Sequence, residues 1–278
     1  MLRFASAVLV LSLTACGGGG GGSSTVTSTG PTCEHEAKIQ IGEYAAVNSN
    51  FLFGTTATGT SCVNLQNLNN NTVSSEWTFN YAAPDVTNNP VTWTTIIYGD
   101  KGSVKTNTKL PKLLNLITSI PINYKISAST PTGGGSVFFD VNLSKIPNPT
   151  GLQPSQGTTV NIDIALNTWG DRLTNPSLWY WDKSNLNLPI VTIDGVQYYF
   201  QVDGTYDPNS KLPISFTRLD FKGSLNRNET INIKSFLDYL VLNNIIPNNL
   251  YVSVIELGAE IQDGVGDIKI ESYNLSVN

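Results

Sequence analysis

After Cys33 this chain reads as short β segments, several with strictly alternating apolar and polar residues, broken by Gly, Pro and Asn clusters. A period of two marks half-buried strands, and it rules out a helical bundle. The predicted strands cover 77–81, 91–98, 122–128, 136–143, 159–167, 189–193, 196–202, 213–219, 251–261 and 267–277. One segment breaks the rule: in IKSFLDYLVLN, Ile233, Phe236, Leu237 and Leu240 recur at helical spacing. The spacing predicts a single amphipathic helix near 233–243. No self-similarity recurs at 20–50 residues, so a solenoid or propeller is excluded. Many short strands and one helix predict an all-β fold, a two-sheet jelly-roll sandwich with one groove-forming face.

The 278 residues suffice for one large β domain or two small ones. Charged residues make up 13% of the chain, about half the usual share. A net charge of -5 and the lack of a basic run argue against nucleic-acid binding. At the N-terminus, Arg3 precedes an apolar run, Phe4 to Leu13, too short to span a bilayer. It ends in Leu13-Thr14-Ala15-Cys16, which resembles a bacterial lipobox. Residues 1–15 are therefore expected to be a lipoprotein signal peptide. Cys16 is expected to carry the lipid, placing the protein in the bacterial cell envelope, at the outer membrane or cell surface. From Cys16 to residue 32 a Gly/Ser/Thr stretch reads as a tether, and 33–278 as the folded domain. Cys33 and Cys62 remain as an even pair, and in an exported protein they predict a disulfide. No cysteine is left for a metal site, and His35 is the sole histidine, so a Ser-His-Asp hydrolase or zinc site is disfavoured. No cofactor or metal is expected.

Three strands carry an acid in the middle of the non-core face. In SVFFDVNL, Val137, Phe139, Val141 and Leu143 are apolar, and Phe138, Asp140 and Asn142 lie opposite. In VNIDIALN, Asn161, Asp163, Ala165 and Asn167 oppose Ile162, Ile164 and Leu166. In YVSVIELGAEI, Val252, Val254, Glu256, Gly258 and Glu260 share one side, with a bare glycine between the two acids. Small and amide neighbours leave room and offer hydrogen bonds, as a sugar-binding groove requires. Converging carboxyls also suit glycoside hydrolysis, which needs one protonated and one ionised acid.

These segments resemble the family 12 glycoside hydrolases, mostly endo-β-1,4-glucanases and xyloglucanases, from about Cys33 to Asn278. SFLDYL at 235–240 resembles the family's single helix, and Gly258-Ala259-Glu260 with Gly264 resembles its Gly-Thr-Glu-Pro strand end and later glycine. SIP at 119–121 and the strand of Asp140 resemble its Ser-Ile-Pro turn and Tyr-Asp strand. Cys33 and Cys62 match its N-terminal disulfide. The resemblance implies a jelly roll with Glu260 as general acid/base, Asp163 as nucleophile and Asp140 as the acid that orients it. Phe53, Asn161, Asn167 and Glu256 are the expected groove contacts. Trp179 and Trp181, in a loop after the Asp163 strand, form an expected sugar platform or cover a core edge.

Several positions depart from the pattern. The family nucleophile is a Glu opening a Glu-Ile-Met-Ile-Trp strand, where this chain has Asp163-Ile164-Ala165-Leu166-Asn167. A groove Trp is replaced by Phe53, and the Pro after the acid/base by Ile261. Retaining glycosidases hold their carboxyls about 5–5.5 Å apart and inverting ones about 6.5–9.5 Å. An Asp withdraws the carboxylate by roughly 1.5 Å relative to Glu. The resemblance thus implies a hydrolase of β-1,4-glucan-type polysaccharide, which the lipobox at Cys16 would tether to a membrane and which is expected to be a monomer. The alternative it leaves open is a catalytically disabled glycan-binding lipoprotein on the same fold.

Overall fold

The computed structural model describes residues 28–50, 58–69, 71–82, 91–102, 104–129, 131–170, 188–221 and 225–278. Two sheets face each other. The six-stranded sheet runs β1 (Ser28–Thr32), β4 (Thr58–Asn69), β5 (Thr72–Ala82), β16 (Gly264–Leu275), β8 (Pro121–Ala128), β14 (Arg227–Asn232). The ten-stranded sheet runs β11 (Ile190–Ile193), β12 (Val196–Val202), β13 (Leu212–Arg218), β10 (Thr158–Trp169), β9 (Gly135–Ser144), β15 (Tyr251–Ile261), β6 (Thr92–Gly99), β3 (Tyr44–Asn50), β2 (Ala37–Ile41). The short β7 (Lys112–Leu113) adds to β15. Pairing is antiparallel except between β10 and β13.

The alternation seen in the sequence explains the core. Val137, Phe139, Val141 and Leu143 of β9, Ile162, Ile164 and Leu166 of β10, and Ile255, Leu257, Ala259 and Ile261 of β15 point between the sheets. They meet Trp77, Phe79, Tyr124, Ile268, Ile270 and Tyr273 from the six-stranded sheet. This leaves the opposite face of the ten-stranded sheet for the three acid-bearing rows.

The predicted helix is α1 (Ile233–Leu242), with Ile233, Phe236, Leu237 and Leu240 buried. Asn232 caps it, accepting from the Lys234 amide, and also accepts from the Ile120 amide. Phe236 meets Tyr198 and Phe216 edge-on, with ring centroids 5.1 and 5.0 Å apart. Thus α1 closes the core at the β12–β13 side.

Two expectations need correction. The tether was expected to reach residue 32, yet Ser28–Thr32 forms β1 on β4. Its anchor is the Cys33–Cys62 disulfide, which ties the chain beside β1 to β4 itself. In β15, an irregularity between Val252 and Val254 breaks the strict alternation. Val252 therefore joins the main core, while Val254 stays on the acid-bearing face.

Candidate active site

Strand β9 lies between β10 and β15, and the register lines up three acids. Asp140 stands directly opposite Asp163 on one side and Glu256 on the other. Directly opposed residues on one sheet face hold their Cβ atoms about 4.5–5.5 Å apart, so these carboxyls form a continuous row. Two amides serve the central acid: Asn142 Nδ2 donates to Asp140 Oδ1 at 2.8 Å, and Asn161 Nδ2 to the same oxygen at 2.5 Å. Asn161 Nδ2 also reaches Asp163 Oδ1 at 3.4 Å. Glu260 lies four residues beyond Glu256 on the same face, opposite Ser136 of β9 and Trp93 of β6.

The row is electrostatically crowded. Burial, then the charge of Glu256, pushes the Asp140 carboxyl up to about 7, against the pull of Lys101, Lys211 and the Asn142 amide. Burial, then Asp140, then Glu260, pushes Asp163 well above the usual carboxylate range, against Lys211 and the Asn161 amide. Like charges at this spacing cannot both ionise cheaply. The Asp140–Asp163 pair therefore keeps a proton into the neutral range, although both side chains retain partial contact with solvent. Because the pair is coupled, the proton belongs to the two acids together.

An aromatic patch lies between the row and Glu260. Trp93, Phe138, Ala165 and Phe221 form one apolar cluster, with Tyr199 packed against it. Trp93 and Phe138 stack with ring centroids 4.6 Å apart. The bare backbone at Gly258 has a specific purpose: a Cβ there would lie 2.4 Å from the Trp93 ring. The glycine therefore receives an indole and leaves no open recess in the floor. The Trp93 Nε1–H donates to Glu256 Oε2 at 3.2 Å.

The predicted site residues divide accordingly. Asp140, Asp163, Asn161 and Glu260 share the face, and Asp163 feels the charge of both Asp140 and Glu260. Glu256 is on this face too, yet it is 0% exposed and does not line an open groove. Lys101, Trp93 and Thr95 enclose it. Asn167 is also corrected. The β9–β10 register shifts between Ala165 and Asn167, so Asn167 pairs with the core-facing Val137. Its Oδ1 accepts from Arg227 Nε at 2.5 Å, a residue of the other sheet. Phe53, Trp179, Trp181 and Cys16 lie outside the described residues.

Residues that the sequence reading missed are Lys101, Lys211 and Trp93. Lys101 follows a strand within a Gly-Asp-Lys-Gly turn, but a turn lysine says nothing about a partner 155 residues away. Trp93 shared a parity with Thr95 and Ile97, which fits either face until the pairing with β15 is known.

Comparison with known proteins places this architecture. No family model matches the chain, and no curated protein matches it by sequence. Solved structures do match. Endoglucanase 3 of Trichoderma harzianum, from family 12, aligns over 92% of this chain and 99% of its own, at 20% identity and a TM-score of 0.67. A family 12 xyloglucanase from Bacillus licheniformis aligns over 90% of this chain and all of its own, at 18% identity and a TM-score of 0.67. The catalytic domain of Humicola grisea Cel12A, solved with a soaked thio-cellotetraose, covers 89% of this chain and 99% of its own, at 18% identity and a TM-score of 0.66. The chain has the jelly-roll fold of the family 12 glycoside hydrolases.

Proposed function

We propose that the protein is a family 12 glycoside hydrolase that cleaves β-1,4-glucan-type polysaccharide with two carboxyl groups. The observation that carries this reading is the position of Asp163, opposite Asp140 and within electrostatic reach of Glu260 on one sheet face. Glu260 protonates the glycosidic oxygen as the bond to the anomeric carbon breaks. Asp163, as carboxylate, attacks that carbon and forms a glycosyl-aspartate ester. Water, deprotonated by Glu260, then cleaves the ester. Asp140 is a positioning residue that holds the pair's proton while Asp163 carries the charge. Between the two acids the floor is the closely packed, nearly buried Trp93–Phe138 pair, which holds the acid-bearing strands in place.

The test is reducing-end release from barley β-glucan, xyloglucan and carboxymethyl cellulose by the soluble domain, with Glu260→Gln and Asp163→Asn beside it. The expected result is activity that falls at least about a hundredfold in either variant, the scale of general acid–base and nucleophilic roles. A folded wild type inactive on all three polymers would overturn the assignment.

One observation favours a second reading, a glycan-binding protein with a silent site. Asp163 is one methylene shorter than Glu and held toward its protonated form. A protonated acid does not attack, and a displacement of about 1 Å costs on the order of a hundredfold. Asp163→Glu separates the readings: activity rises sharply if the site is silent, and changes little or falls if Asp163 is the working nucleophile.

We also propose that Cys16 is lipidated and tethers the domain, as a monomer, to the bacterial envelope. Metabolic labelling with palmitate that is lost in Cys16→Ser is the expected result.

A further inference from the structure

The hairpin that follows β6 folds back over the acid-bearing face. Gly99 and Thr106 clamp its base: the Gly99 amide donates to Thr106 Oγ1 at 2.8 Å, and Thr106 Oγ1 donates to the Gly99 carbonyl at 2.6 Å. Lys101 and Val104 exchange backbone hydrogen bonds of 3.0 and 2.9 Å. Gly99 has φ +111, and a Cβ there would lie 2.5 Å from the Ser253 carbonyl, so only glycine lets the hairpin leave the sheet this close to β15. Val104 then packs on Ala45, Val47, Ile97 and Val254.

This arrangement delivers one ammonium group to one buried carboxylate. Lys101 Nζ lies 2.7 Å from Glu256 Oε1 and 2.8 Å from Oε2. Oε2 also accepts from Trp93 Nε1 and Thr95 Oγ1, both at 3.2 Å. Glu256 is fully buried, so an unpaired charge there would be expensive, and the pair is built as a unit. Its location gives it a further role, because Glu256 faces Asp140 and Asp140 faces Asp163.

We propose that Lys101 is a positioning residue: clamped on Glu256, it sets the charge state of the Asp140–Asp163 pair and thereby the acid limb of the pH–rate profile. This rests on the hydrolase reading above. The groups that face the pair are Glu256 from β15, Lys101 from the hairpin, Lys211 ahead of β13, Glu260 beyond Phe138, and the Asn142 and Asn161 amides. The exposed Glu36 acts on Lys101 from farther out. Lys101 and Glu256 pull Asp140 in opposite directions, Lys101 down and Glu256 up.

Opposite signs make the test specific. Reducing-end release from barley β-glucan is followed against pH for wild type, Lys101→Met, Lys101→Arg, Glu256→Gln and the Lys101→Met/Glu256→Gln double variant. The expected acid limb moves up by about one pH unit in Lys101→Met and down in Glu256→Gln, the size expected for a neighbouring charge. It returns near the wild-type position in the double variant and in Lys101→Arg. Limbs that move together, or do not move while only the melting temperature falls, would overturn the proposal. Carbon-13 NMR titration of labelled aspartate carboxyls in the same variants needs no turnover. The same order of shifts there upholds the proposal even if no polymer is cleaved, and an unchanged titration overturns it.

Discussion

Gly258 and Trp93 make the site's floor a matter of single atoms. A methyl at Gly258 would meet the indole at 2.4 Å, so Gly258→Ala must displace Trp93 and break its bond to Glu256. The expected cost is about 1–3 kcal/mol, as for other overpacked sites. A shifted tryptophan emission together with a lowered melting temperature would check it. Asp140 makes a second prediction at this scale. Its folded-state pKa is raised to about 7, so its protonated form stabilises the fold. That contribution is complete below the unfolded value of about 3.9, and it is lost as pH rises to about 7. Asp140→Asn keeps a neutral acceptor for Asn142 and Asn161. Relative to wild type, the variant should gain on the order of 1–3 kcal/mol between pH 4 and 7, read from denaturant titrations. A difference that stays constant over that window would mean that Asp140 is not the group that titrates.

Among the elements, β10 shows how a local irregularity redirects function. The shift after Ala165 turns Asn167 toward Arg227, whose guanidinium also reaches the Leu166 carbonyl at 3.0 Å and Glu229 Oε1 at 3.1 Å. Arg218 binds Asp220 and Glu229 in the same network, which joins β14 of one sheet to β10 and β13 of the other. Arg227 is nearly buried, and its removal would take one donor from Asn167 and one from the Leu166 carbonyl and weaken the hold on Glu229. Arg227→Met should destabilise by about 1–3 kcal/mol, measured by chemical denaturation, because the buried Leu166 carbonyl loses a charged donor while Glu229 keeps Arg218. This network also marks where sequence reading fails. Alternation located β9, β10 and β15, and helical spacing located α1, because each has one apolar side. It could not foresee a bulge, which adds a residue without changing composition. It also passed over β4, whose TGTSCVNLQNLN is mostly polar, and β1, whose Ser, Thr, Gly and Pro resemble a tether until β4 pairs with them.

The whole molecule depends on two sheets holding the acid-bearing face in place. The three acids were visible in the sequence because each interrupts an apolar alternation on the wet side. Their mutual order was not visible, since the register that sets Asp140 between Asp163 and Glu256 belongs to strands far apart in the chain. The Cys33–Cys62 disulfide spans 29 residues and secures β1, β2 and β3 against β4. Loop-closure entropy for a span of that size predicts a loss of about 3–4 kcal/mol when it is removed. The Cys33→Ser/Cys62→Ser variant should therefore melt at lower temperature, while the acid row, built on other strands, keeps its pH behaviour.

The most direct measurement of the central claim is mass spectrometry after incubation with an activated 2-deoxy-2-fluoro-β-cellobioside. Such a sugar slows breakdown of a glycosyl-enzyme ester more than its formation. One added fluorocellobiosyl group is expected, carried on the peptide containing Asp163 and absent from Asp163→Asn. A label on Glu260 or Glu256, or none on an enzyme that cleaves β-glucan, would contradict the assignment of Asp163 as nucleophile.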